Sequence, residues 1–326
     1  MTTRHLVDPE LAALIEQIPD SVLTTETLKQ IRAMSSQPPA TLNQVAALSV
    51  REHFIPGPEG TPDVRVLVYR PEAVEGPLPA LLWMHGGGYI MGSVDGENST
   101  VKSIVAAVGC AVVSVDYRLA PETPYPGPLE DCYTALKWLA THTNELGIDP
   151  QRIAVGGSSA GAGLAAALAL LARDRGKIPL AFQILLAPML DDRTCTLETP
   201  HPYTGEFIWT AEDNCFGWTS LLGHAPGGPD VSPYAAAARA EHLEGLPATF
   251  LHVGALDLFL EEDLEYARRL MRAGVPTELH VYPGVYHGFR MVADAQVTQT
   301  AARDQFAALK RAFASSRRSN EATRTM

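Results

Sequence analysis

Cysteine is scarce, with four in 326 residues. Cys110, Cys132, Cys195 and Cys215 form neither a Cys-x-x-Cys pair nor a Cys/His metal spacing. A disulfide framework is therefore excluded, and the four read as free, mostly buried thiols with no metal to hold. Positive charge is also short. Lys and Arg number 25 against 37 Asp and Glu, a formal net charge of −12. A nucleic-acid partner would need a basic patch to neutralise phosphates. The one basic cluster lies in the terminal "RRSNEATRTM", so no nucleic acid is expected. Long apolar runs are missing as well. "AGLAAALALLA" and "PLAFQILLAPML" fall short of the ~20 residues that cross a bilayer. The opening "MTTRHLVDPELAALIEQIP" lacks an apolar signal core and a small-residue cleavage site. The expectation is a cytoplasmic protein that needs no membrane. What is present is 46% hydrophobic and 19% charged, the balance of an ordinary globular chain.

Residues 1–50 read as amphipathic helices joined by polar turns, with Pro38 and Pro39 breaking the pattern. From residue 62 the texture changes. "VRVLVYR" alternates like a strand, and "PALLWMHGGG", "CAVVSVDYRL", "RIAVGG", "AFQILLAPML", "ATFLHVGAL" and "TELHVYPG" are apolar, β-rich runs. Between them lie the helical patterns of "STVKSIVAAVG", "LEDCYTALKWLATHTNELG", "GAGLAAALALLARDRG" and "LEEDLEYARRLMRAG". A last helix is predicted over about 296–316, with 317–326 a frayed tail. Such alternation predicts an α/β fold with a mostly parallel sheet covered on both faces. Residues 191–232 interrupt it with Pro, Gly and five aromatics: Tyr203, Phe207, Trp209, Phe216 and Trp218.

The stretch "VGGSSAGAG", residues 155–163, admits two chemical readings. "GAGLAA" formally fits a dinucleotide fingerprint. Its strand ends several residues too early, and no acidic residue follows at the end of a second strand. The other reading is a nucleophile elbow: Gly157-Ser158-Ser159-Ala160-Gly161 is G-x-S-x-G between strand and helix, with Ser159 central. A serine hydroxyl needs a base, and the base needs a group to orient it. "FLHVGALD" places Asp257 just past a strand, and "LHVYPGVYHGF" places His287 in the loop after the next. Glu261 and Glu262 are nearby alternative acids, expected to begin a helix and face solvent. An acyl-transfer site also needs backbone N–H donors for the developing oxyanion. "HGGGY", residues 85–89, follows a buried strand. Gly87 and Gly88 are the expected donors, with the Ala160 N–H as a third; His85 and Gly86 support the loop, His85 by hydrogen bonding.

"HGGGY", "DYRLAPETPYP", "GSSAG", "GALD" and "YHGF" fall in the order found in the hormone-sensitive-lipase-like esterases, also called bacterial family IV or GDXG enzymes. The chain resembles that family over residues 60–315. The resemblance implies an α/β-hydrolase fold: a catalytic domain over 51–316, capped by helices from 1–50 and by the inserted segment 191–232. It implies a serine carboxylesterase acting without a cofactor on short- to medium-chain esters, with Ser159, Asp257 and His287 as the triad. The cap's Phe207, Trp209, Phe216 and Trp218 would wall an apolar pocket. Pairing of two copies through an edge strand is a further expectation. The chain departs from the family in having Ser158 where Asp is usual. "DYRLAPE", Asp116–Glu122, is expected to form a buried ionic and hydrogen-bonding network beneath the site. The same residues would serve an amidase of the arylformamidase kind. A non-catalytic receptor on this fold would lack the histidine, which is present here as His287.

Overall fold

The computed structural model describes residues 2–17, 22–35, 48–72, 74 and 76–324. Pro38 and Pro39 lie outside the described residues. In chain order the elements are α1 (Ala12–Gln17), α2 (Thr25–Ser35), β1 (Leu48–Ile55), β2 (Val64–Pro71), β3 (Leu78–Met84), α3 (Asn98–Val108), β4 (Ala111–Asp116), α4 (Gly127–Thr141) and α5 (Thr143–Leu146). There follow β5 (Ile148–Ser158), α6 (Ala160–Arg175), β6 (Phe182–Leu186), α7 (Ala211–Leu222), β7 (Thr249–Gly254), α8 (Leu260–Arg272), β8 (Thr277–Tyr282) and α9 (Gln296–Arg324).

The strands form one eight-stranded sheet in the order β1-β2-β4-β3-β5-β6-β7-β8. It is parallel except at β2, which runs antiparallel to both β1 and β4. Every residue of β3, β6 and β7 is buried, which is why their sequences are mostly apolar rather than alternating, with Gln183, Thr249 and His252 as buried polar exceptions. Both faces are covered. Leu82, Met84, Val113 and Val115 point into the core shared with α4, α6 and α8. Leu81, Trp83 and Val112 point oppositely, into the core shared with α3 and α9. This is the two-residue period of a strand read on both sides. Helix α6 is buried from Ala160 to Ala172, and its alanines and glycines let it sit close on the sheet.

Two expectations about element boundaries are corrected. Residues 48–55 are not the end of a helical leader but the edge strand β1. Only Ile55 is fully buried there, so the stretch lacks the apolar run that marks the central strands. Helix α9 does not stop near 316 but continues to Arg324, because no Gly or Pro interrupts residues 296–324. Among the described residues no helix is long and apolar enough to cross a membrane.

The N-terminal segment and the 191–232 insertion meet each other over the C-terminal ends of the strands. The Leu23 N–H donates to Asp213 Oδ1 of α7 at 3.0 Å, and Thr3 bonds Glu206 through both its N–H and its hydroxyl at 2.5 Å. Arg32 of α2 reaches further. Its guanidinium donates to the carbonyls of Ile90 and Ala120, each at 2.7 Å, and so ties the helix to the loops after β3 and β4.

Candidate active site

β5 runs directly into α6 through Ser159, whose φ of 54° and ψ of −123° are strained for a residue with a side chain. The turn is held from several sides. The Ser159 N–H donates to the Leu186 carbonyl at 2.8 Å, and the Ser159 carbonyl accepts from Ala162, Gly163 and Met189. The glycines around it are required by packing. A Cβ on Gly157 would stand 2.5 Å from the Gly161 backbone, and one on Gly161 would stand 2.2 Å from the Met84 carbonyl oxygen. Only a residue without a side chain fits at either place, so the sharp turn and the close approach of α6 to β3 need the same two positions.

His287 follows β8, and its ring bridges two groups. Nε2 is 2.9 Å from Ser159 Oγ, and Nδ1 is 2.8 Å from Asp257 Oδ2. With Nδ1–H donating to the carboxylate, Nε2 is left to accept the serine proton. Asp257 is 1% exposed and lies after β7. Its other oxygen accepts the Phe259 N–H at 3.0 Å, so both carboxylate oxygens are engaged. The Phe259 ring meets the imidazole edge-on at 5.1 Å between centroids. The structure thus brings Ser159, Asp257 and His287 together as the sequence reading expects.

The glycine loop after β3 lies against the elbow. A Cβ on Gly86 would be 3.1 Å from Ser158 Oγ and 3.5 Å from Ser159 Cβ. Gly87 and Gly88 have φ of 120° and 59°, and both Ile90 and Met91 donate back to the Gly87 carbonyl. The Ala160 N–H belongs to the first turn of α6, where backbone donors have no partner within the helix. His85 is 1% exposed. Its Nδ1 lies 2.8 Å from the Gly86 carbonyl, and its ring stacks on Tyr117 with centroids 4.2 Å apart. Burial holds the imidazole below its usual pKa, against the opposing pull of the Gly86 carbonyl. Tyr117 completes the support by donating to the His85 carbonyl at 2.7 Å.

Asp116–Glu122 is a less buried network than expected. Arg118 forms a paired bond to Asp131, which is fully buried, yet Asp116 meets Arg65 at a partly open edge and Glu122 meets Arg32 in solvent. The segment starts where β4 leaves the sheet, so its two terminal carboxylates reach the surface while Tyr117 stays inside.

The expectation that Glu262 faces solvent is wrong, whereas Glu261 is exposed. Glu262 is 8% exposed and accepts from the Leu190 N–H at 2.6 Å, from the Asp191 N–H at 3.2 Å and from the Thr194 hydroxyl. The signal was available. Glu262 lies three residues after Phe259 and four before Tyr266, on the buried face of α8. It therefore clamps the start of the 191–232 insertion to the helix that follows Asp257. Burial pushes its carboxyl well above the usual carboxylate range, against the lowering by Thr194 and the two N–H groups. Glu262→Ala would orphan two backbone donors, one fully buried, at about 1–3 kcal/mol for a buried donor. Glu262→Gln keeps an oxygen to accept from the two backbone N–H groups and turns an amide toward the Thr194 hydroxyl, so it should stay near wild type. Urea unfolding midpoints of the two variants check this, and equal losses would sink it.

The five aromatics of the insertion have different fates. Trp218 is fully buried against Tyr89, and Phe207 packs edge-on against Tyr286. Phe216 rests against the main core, and Tyr203 is 49% exposed. Trp209 alone of the five has ring contacts with the groups just described. A Cβ on Gly88 would stand 2.2 Å from its Cη2, and its ring lies 6.4 Å from that of His287. A cleft of about 880 Å³ also opens between the insertion and α8, lined by Arg193, Leu258, Glu262 and Tyr266 among others, but neither Ser159 nor His287 borders it.

A mostly parallel sheet, a strained serine at a strand–helix turn, and acid and histidine loops after later strands together define an α/β-hydrolase. The chain belongs to that family, matching the alpha/beta hydrolase fold over residues 81–291, and within it to the hormone-sensitive-lipase-like carboxylic ester hydrolases. It is 34% identical to the carboxylesterase NlhH of Mycobacterium tuberculosis over 316 residues, covering 94% of this chain and 96% of that one. Among solved structures it is similar to a bacterial heroin esterase, with a TM-score of 0.87, 41% identity and 96% and 99% of the two chains covered. It is also similar to the esterase LipW of Mycobacterium marinum, with a TM-score of 0.81, 35% identity and coverage of 95% and 97%.

Proposed function

We propose that this protein is a serine carboxylesterase that cleaves short- to medium-chain esters through an acyl-enzyme. The observation that carries the reading is the pair of bonds at His287, 2.9 Å to Ser159 Oγ and 2.8 Å to Asp257. In this reading Ser159 Oγ attacks the ester carbonyl as His287 Nε2 takes its proton. The carbonyl oxygen becomes an oxyanion facing the N–H groups of Gly87, Gly88 and Ala160, each such donor being worth about 3 kcal/mol of barrier. Asp257 orients the imidazole and stabilises its cation. His287 then protonates the departing alkoxide, the C–O bond breaks, and the alcohol leaves. Water, deprotonated by the same imidazole, attacks the acyl-enzyme, releases the acid and returns the proton to Ser159. The N-terminal helices within 1–50 and the segment 191–232 act in this reading as a cap over the catalytic domain, 51–316. Their contacts with each other and with the loop after β3 support that role.

A walled pocket gains about 0.8 kcal/mol for each CH₂ it buries until the chain no longer fits. Across p-nitrophenyl esters, kcat/KM is expected to rise from acetyl toward butyl or hexyl and then fall sharply. A maximum at the longest acyl chains, or a rate jump above the critical micelle concentration, would point instead to a lipase of emulsified fat. A burst of p-nitrophenol equal to the enzyme concentration on mixing with an activated ester tests the acyl-enzyme itself.

A further inference from the structure

The segment that presents Trp209 is strained. Ile208 has a φ of 66°, a conformation that a β-branched residue rarely adopts. The Trp209 N–H closes a three-residue turn onto the Phe207 carbonyl at 2.7 Å, a γ-turn of the uncommon positive-φ kind. Such strain persists only where surroundings over-determine it, and here they do. The Ile208 side chain packs on Gly288, next to His287, where an added Cβ would stand 3.2 Å from its Cγ2. The Trp209 indole lies over Gly88, its Nε1–H donates to Asn214 Oδ1 of α7 at 3.1 Å, and Gly217 on the same helix leaves room for its six-membered ring at 3.5 Å. Two consecutive residues of the insertion are thus wedged between the glycine loop and the histidine loop. Trp209 is 7% exposed although it stands over the glycine loop beside the triad, so its ring is a fixed wall rather than a mobile flap.

We infer that Trp209 is the specificity-determining wall of this site, and that it limits the size of the ester's alcohol portion. This rests on the esterase reading above. The ring's position decides which portion it meets. In the tetrahedral intermediate the oxyanion points at Gly88 and the leaving oxygen points at His287 Nε2, while the acyl chain leaves on the remaining side. An indole that covers Gly88 and lies 6.4 Å from the His287 ring borders the edge between oxyanion and leaving group. The alcohols it accepts beside that fixed plane are flat or slender ones, such as aryl or primary alkyl groups. Secondary and tertiary alcohols branch at the carbon next to the leaving oxygen and meet the ring.

The test uses two ester series on the purified full chain. One holds acetyl constant and enlarges the alcohol from ethyl through isopropyl to tert-butyl and 1-phenylethyl. The other holds p-nitrophenol constant and lengthens the acyl chain. Trp209→Ala is expected to raise kcat/KM for the branched alcohols relative to ethyl acetate by about tenfold or more, the scale on which pocket size discriminates. The acyl profile should keep its maximum. Asn214→Ala, which frees the indole without deleting it, should move the alcohol ratio the same way by less. It also serves if Trp209→Ala fails to fold, as judged by circular dichroism. A change confined to the acyl series, or an equal loss on every ester in folded variants, would overturn the inference. Wild-type protein inert toward every ester would defeat the esterase reading itself, a distinct result.

Discussion

Ser159→Ala is expected to lower kcat by about 10⁴-fold or more, as removal of a triad nucleophile does elsewhere. Residual turnover would come from the backbone donors and from substrate binding, both of which the substitution leaves in place. The variant should fold. The Ser159 hydroxyl contributes one bond, to His287, while the turn is held by backbone bonds that alanine keeps. Alanine also inherits the same strained φ, so stability should change little. Ser158→Ala is the matched control. Ser158 ends β5, and its Oγ lies near Gly86 rather than His287. It should retain most activity even though it stands where relatives of this family usually carry aspartate. An organophosphate label on Ser158, or comparable losses in the two variants, would show that the nucleophile has been misassigned.

Asp257→Asn is expected to cost about 10⁴-fold in kcat with the fold intact. The substitution is nearly isosteric, so the Phe259 N–H keeps its acceptor. The amide NH₂ toward His287 then favours the tautomer with the proton on Nε2. That nitrogen could no longer accept from Ser159, and the imidazolium formed during attack would lose its counter-charge. Glu262→Gln should show no comparable loss, because its carboxyl is spent on Leu190, Asp191 and Thr194. Steady-state rates on p-nitrophenyl butyrate for the two variants decide between the acids. A mild Asp257→Asn beside a severe Glu262→Gln would transfer the role.

The local order of residues carried much of this. Mostly apolar runs marked β3, β6 and β7, since a strand buried on both faces has no solvent side to show. Gly157 and Gly161 around Ser159 marked the elbow, because a Cβ at either would collide with backbone. The order of serine, acid and histidine, each after a strand, singled out three residues that the fold brings within hydrogen-bonding distance of one another. What the order of residues left open was decided by packing between distant segments. β1 carries no buried run because it is an edge strand, and only its pairing with β2 reveals it. Glu262 falls on the apolar face of its helix, yet what it meets there is settled only when the insertion folds back and offers it two backbone N–H groups 72 and 71 residues away. The five aromatics of the insertion look alike in one dimension. Their separation into core residues, the exposed Tyr203 and the Trp209 ring against the glycine loop depends on a strained turn at Ile208 and on the gap left by Gly88, which lies more than a hundred residues earlier in the chain. Local patterning reports whether a side chain is wanted inside. Which other side chain it meets there is a property of the assembled sheet and its cap, because contacts between segments far apart in the chain form only once both are placed.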